Sequence, residues 1–84
     1  MNYAISLIPN ARKDLDDVKG KDFEYIKNKI IALSSNPRPF GSQKLTNEEG
    51  YRVRAGDFRI LYRIEDSSRH VIIYRVKRRS HAYR

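Results

Sequence analysis

The chain has 84 residues, no cysteine, and 18 lysines and arginines against 10 acids, a formal net charge of +8. That length supports one domain over residues 1–84, and the missing cysteines exclude a disulfide framework or a thiolate zinc site. Two histidines without a carboxylate cluster argue against a metal or other cofactor, and no stretch reads as a signal peptide or membrane span, so the cytoplasm is the expected compartment.

Tyr3 to Ile8 alternates apolar and polar residues and predicts a strand with Tyr3, Ile5 and Leu7 facing inward. Pro9-Asn10 ends it. Asn10 is the expected N-cap of a first helix with Ala11, Leu15 and Val18 on one stripe. Gly20 stops that helix, and Asp22 is expected to cap a second one, in which Phe23, Ile26, Ile30 and Leu33 recur at helical spacing. Asn36 to Ser42 is a proline-rich rigid loop, because Pro37 pushes Asn36 out of the helical region. Lys44-Leu45 suits a short edge strand before the turn at Asn47 to Gly50.

Two strands then flank Gly56-Asp57, a pair suited to a two-residue hairpin turn. Pairing Ala55 with Phe58 sets Arg54 opposite Arg59, Val53 opposite Ile60 and Arg52 opposite Leu61. Arg52, Arg54 and Arg59 then leave from one face, and Tyr51, Val53, Phe58, Ile60 and Tyr62 from the other. A turn at Asp66 to Ser68 leads to a last strand from about His70 to Val76. Its register stays open, because the connecting loop fits four or five residues, and Tyr74 is left without a face. The order β-α-α-β-β-β predicts an α+β fold, an antiparallel sheet with a helical hairpin on one face. The arginines would occupy the other face.

Charge follows the same division. Acids before residue 30 are interleaved with lysines, whereas from Tyr51 onward ten arginines and lysines meet three acids. A basic half of this kind favours a polyanionic partner, such as nucleic acid, the ribosome or an acidic protein. Like charges facing each other in a hairpin cost roughly 0.2–1 kcal/mol per pair, and a bound phosphate would relieve that cost.

Asn36-Pro37-Arg38, Gly41, Lys44-Leu45, the run Tyr51-Arg52-Val53-Arg54-Ala55-Gly56-Asp57-Phe58-Arg59-Ile60-Leu61-Tyr62, then Arg78-Arg79 and Tyr83-Arg84 together resemble the RelE/ParE family of type II toxins. The resemblance covers nearly the whole chain and implies a RelE-like, microbial RNase-type fold. It also implies a cognate RelB-like antitoxin that holds the protein inactive in a hetero-oligomer. In the RelE branch it implies cleavage of mRNA in the ribosomal A site. By position, Arg52 and Arg54 resemble the strand residues that face RNA in RelE-type toxins. Arg59 resembles the arginine at the scissile phosphate, Arg79 the C-terminal arginine of the site, and Tyr83 the tyrosine that orients the RNA. The chain departs from the best-studied RelE toxin in having arginines where that toxin has lysines at Arg52 and Arg54. Arginine is a poor base at neutral pH, which leaves the proton acceptor open.

Metal-free RNA cleavage needs an acceptor for the 2′-OH proton, a donor to the leaving 5′-oxygen, and positive charge on the transition state. Arg54 and Arg59 suit the charge, with forks matched to phosphate oxygens. Arg79 suits the leaving-group side, and Tyr83 a phosphate contact or a stacked base. His81 is one candidate for proton transfer. The other is a ring of cations that favours the ionised 2′-OH, with no dedicated base. Lys44, Arg52, Arg78 and Arg84 are candidate RNA-backbone contacts, although a lysine guarding an edge strand explains Lys44 equally well. His70 reads as structural. Two other functions compete: a ParE-type inhibitor of DNA gyrase, and a non-catalytic RNA-binding regulator of translation. Arg79 and Tyr83 favour the nuclease, which needs those residue types where the gyrase inhibitor does not.

Overall fold

The computed structural model describes residues 2–46 and 48–78. In chain order they form β1 (Ala4–Leu7), α1 (Pro9–Asp16), α2 (Gly20–Ser35), β2 (Gln43–Lys44), β3 (Tyr51–Ala55), β4 (Phe58–Glu65) and β5 (His70–Arg78). The strands make one five-stranded sheet in the order β1-β5-β4-β3-β2. The α+β class and the helical pair are as the sequence predicts, and the short edge strand expected at Lys44-Leu45 forms one residue earlier, at Gln43–Lys44, as the fifth strand. One pairing departs from the expected antiparallel sheet. β2 through β5 form an antiparallel meander, but β1 joins β5 in parallel, with Ala4 opposite His70 and Leu7 opposite Ile73. The two helices carry the chain from the β1 edge across one face to the β2 edge. The meander then walks back until its last strand meets the first.

The helix starts also differ from expectation. α1 begins at Pro9 with Ile8 as N-cap, rather than with Asn10, because proline at the first helical position supplies the right φ and has no N–H to satisfy. α2 begins at Gly20 with Lys19 as N-cap; Asp22 lies inside its first turn, where its charge suits the helix dipole.

The core lies between the helices and one sheet face. Ala11, Ile26, Ile30 and Leu33 meet Val53, Ala55, Phe58, Ile60, Tyr62, Val71, Ile73 and Val76, all buried. Tyr3, Ile5, Leu7, Leu15, Val18, Tyr51 and Ile64 pack around them, whereas Phe23 is only partly covered. Each fully buried large side chain contributes roughly 1.5–3 kcal/mol. The 36–42 loop is pinned from three sides. Asn36 Oδ1 accepts the Arg38 N–H (3.1 Å), Pro39 carbonyl accepts the Ser42 N–H (2.9 Å), and the buried Tyr62 hydroxyl donates to the Pro37 carbonyl (2.7 Å). Arg38 then grips Asp66 with both terminal nitrogens (3.2 and 2.8 Å) and donates to the Tyr51 hydroxyl (3.1 Å), while Tyr3 donates to Asp66 (2.8 Å).

The meander contains one irregularity. The β4–β5 loop has four residues, with Glu65 opposite His70 and Arg69 at φ 52°. Pairing runs regularly to Tyr62 opposite Ile73, then resumes with Leu61 opposite Arg75. Tyr74 is therefore the extra residue of a β-bulge, and the alternation of β5 shifts by one there.

Candidate nucleic-acid interface

β3 and β4 pair in the register expected from sequence: Ala55 with Phe58, Arg54 with Arg59, Val53 with Ile60 and Arg52 with Leu61. Gly56 adopts φ +62°, which a two-residue turn requires at its first central position. Because Val53, Ala55, Phe58 and Ile60 are buried under the helices, strand alternation sends Arg52, Arg54 and Arg59 to the opposite, open face. β5 adds what the sequence left unassigned. Lys77 pairs with Arg59, so Arg54, Arg59 and Lys77 form a row of cations across three strands. Neighbouring strands lie about 4.8 Å apart, so the row spans roughly 10 Å.

Not every arginine of the chain is available. Arg75 gives a two-pronged grip to Asp14 (2.8 and 3.1 Å), and Arg38 is held by Asp66. Arg52 donates to Gln43 Oε1 on the neighbouring strand (2.9 Å), a neutral partner that leaves its charge uncompensated. Among the described residues, Arg54, Arg59 and Lys77 have no ion pair with an acid. The face combines guanidinium forks with no bound counter-charge, an arrangement suited to phosphate oxygens.

Two sequence candidates are placed elsewhere. Lys44 pairs with Tyr51 and its ammonium lies 5.8 Å from the centre of the Tyr51 ring, apart from the arginine row. Arg78 pairs with Phe58 and lays its guanidinium over that ring at 4.7 Å, at the rim beside the hairpin turn. Arg79, His81, Tyr83 and Arg84 lie outside the described residues. His70 bridges β5 to β1, with Nε2 2.6 Å from Ser6 Oγ, a structural contact. Among the described residues no three His, Cys, Asp or Glu side chains gather as metal ligands, and no helix is long and apolar enough to cross a membrane.

Several of the titrating groups with displaced pKa values belong to the scaffold. Burial alone would raise the Asp14 carboxyl, but it is held below its usual range by the Arg75 guanidinium, the Val76 N–H and the charge of Lys77. Hydrogen bonds from Arg38 and Tyr3 lower Asp66. Burial pushes the Tyr62 hydroxyl up to about 12.

Comparison with known proteins agrees with this architecture. A family model described as the ParE toxin of type II toxin-antitoxin system, parDE, matches residues 5–83. A Methanocaldococcus jannaschii protein that carries the toxin name RelE1 is 33% identical over 88 residues, spanning 100% of this chain and 98% of the relative. Toxin RelE of Mycobacterium tuberculosis is 30% identical over 84 residues, covering 98% of this chain and 87% of the relative. Among solved structures, a chain of a RelBE toxin-antitoxin complex from M. tuberculosis superposes with a TM-score of 0.83 at 28% identity, covering 94% of this chain and 100% of that one. With an uncompensated arginine row on the expected face and relatives matched along their length, the chain belongs to the RelE/ParE superfamily of type II toxin-antitoxin toxins, on its RelE branch.

Proposed function

We propose that this toxin cleaves mRNA in the ribosomal A site by metal-free attack of a 2′-OH on the adjacent phosphate. The observation that carries the reading is the open-face row of Arg54, Arg59 and Lys77, cations with no acid within ion-pair distance among the described residues, in a chain whose relatives are named RelE toxins.

The 2′-oxygen forms a bond to phosphorus as the bond to the 5′-oxygen breaks, giving a 2′,3′-cyclic phosphate and a 5′-OH end. Charge grows on the non-bridging oxygens in the transition state. The hairpin fixes the backbone positions from which Arg59 and Arg54 extend, and their forks donate to those oxygens. Arg52 grips the flanking backbone. In this reading Arg79 neutralises the leaving-group side and Tyr83 orients the RNA. Arg78 is the last described residue of β5 and lies beside the hairpin turn. The 2′-OH proton passes either to His81 or to solvent from an alkoxide favoured by the cation ring, and a proton is returned to the 5′-oxygen. Replacing His81 with Gln separates the two. A lost single-turnover rate with unchanged binding identifies the imidazole.

The relevant compartment is then the cytoplasm, where ribosomes translate. A RelB-like antitoxin is the expected inhibitor; solved structures of similar fold include RelE with RelB from Pyrococcus horikoshii and from E. coli. An acidic or amphipathic antitoxin segment laid on the arginine face would satisfy the same cations as RNA does.

The test is incubation with mRNA-programmed ribosomes followed by end-mapping. The expected result is cleavage within the A-site codon, with naked RNA left largely intact. Intact mRNA together with inhibited gyrase supercoiling would move the toxin to a ParE-type activity.

A further inference from the structure

The bulge in β5 gives the open face a feature that electrostatics does not use. Tyr74, its extra residue, turns onto the same face as Arg63 and reaches across β4 toward Gly50. A Cβ placed on Gly50 would stand 3.1 Å from the Tyr74 hydroxyl and 2.8 Å from the Tyr62 carbonyl oxygen, so only glycine leaves room for the ring there. The hydroxyl is sealed and has no hydrogen-bond partner among the described residues. Tyr74 is nonetheless partly exposed, and with its hydroxyl sealed that exposure falls on the rest of the residue. Leu61 and Ile72, also partly exposed, share this face, with Arg52 and Arg59 beside Leu61 and Arg63 opposite Ile72. The result is an apolar strip flanked by guanidinium groups, with the charge of Glu48 near Tyr74 at the Gly50 end. Tyr74 is three strand residues from Lys77, roughly 10 Å from the cation row, the scale of a neighbouring nucleotide.

We propose that the Tyr74 ring is a stacking platform for a base flanking the cleaved phosphate, with the adjacent guanidinium groups holding that nucleotide's backbone. The inference rests on the RNA-cleaving reading. An aromatic face accepts any base, and cations beside it hold the strand in place, the combination that single-stranded RNA requires. The ring is locked by the bulge and by Gly50, so it is ordered before RNA arrives.

The experiment compares wild-type toxin with Tyr74→Phe, Tyr74→Trp, Tyr74→Leu and Tyr74→Met in single-turnover cleavage on programmed ribosomes, with thermal melting as the check on folding. 2-Aminopurine placed next to the cleavage site reports stacking directly. Tyr74→Phe and Tyr74→Trp should cleave and quench as wild type does. Tyr74→Leu and Tyr74→Met should raise the half-saturating toxin concentration roughly tenfold and lose the quench. Two aliphatic variants are used so that a folding failure in one leaves the other to decide. Folded aliphatic variants indistinguishable from Tyr74→Phe in both readouts overturn the platform. If wild type leaves mRNA intact, the cleavage reading itself fails and the platform falls with it. If wild type cleaves, the variants judge Tyr74 alone.

Discussion

Asp14 carries more of the fold than an exposed helix carboxylate normally would. β1 ends opposite Ile73, so beyond that point β5 has no strand on its outer side. Asp14 Oδ2 fills the gap by accepting the backbone N–H of Val76 (2.9 Å), while both oxygens receive the Arg75 guanidinium. Val76 is buried at 4% exposure and the Asp14 side chain is 19% exposed, so water does not readily replace the lost acceptor. Asp14→Ala therefore leaves a buried donor unmet, at a cost of about 2 kcal/mol. The exposed Arg75 head rehydrates and is left out of that figure. For a domain of this size the change lowers the melting temperature by roughly 8–16 °C. Asp14→Asn keeps an amide oxygen for the Val76 N–H and should lose less than half as much. The folded-state pKa of Asp14 lies below the unfolded value, so the unfolded chain takes up the proton first as pH falls. Its contribution is complete above about pH 5 and disappears as pH drops through roughly 3.9 and below. Asp14→Asn should flatten that acid slope, leaving the part due to Asp66. Thermal melts followed by circular dichroism between pH 2 and 7 provide the measurement (about five pH values suffice). An Asp14→Ala melt within roughly 3 °C of wild type would show that the Val76 N–H does not depend on Asp14.

Three further outcomes follow from the same geometry. Tyr62→Phe removes the donor to the Pro37 carbonyl and should cost about 1 kcal/mol in a denaturant melt. Because burial raises the Tyr62 pKa to about 12, its contribution is full below pH 10 and lost as pH rises to 12, visible as a late phenolate absorbance step at 295 nm. Gly50→Ala should destabilise by about 2 kcal/mol or more, since φ is +129° and the new Cβ would press on the Tyr62 carbonyl oxygen. Arg54→Ala removes a cation facing another cation, so its melting temperature should match or exceed that of wild type while toxicity falls.

The hairpin and its arginine face were legible because Gly56 fixed a two-residue turn and strict alternation fixed every side chain after it. Lys77 was missed for a local reason. Apolar residues at 71, 73 and 76 break the period of two, and only the bulge at Tyr74 explains why Val76 returns to the core and Lys77 joins Arg59. That broken period was the available signal. Lys44 keeps both of its readings, RNA contact or edge guard, because a two-residue edge strand carries too little pattern to define its face. The parallel pairing of β1 with β5 joins segments more than sixty residues apart and leaves no turn between them to read. Pro9 overrode Asn10 at the start of α1, because a fixed φ at the first helical position outweighs a side-chain cap one residue later.

The central claim is that open-face arginines stabilise charge on a scissile phosphate. Single-turnover cleavage of A-site mRNA by wild type and Arg59→Ala, at saturating toxin, tests it most directly. Wild type should cleave within the codon, and Arg59→Ala should be slower by roughly 10²–10³-fold, with the melting temperature unchanged or higher. Equal rates for the two proteins would contradict it.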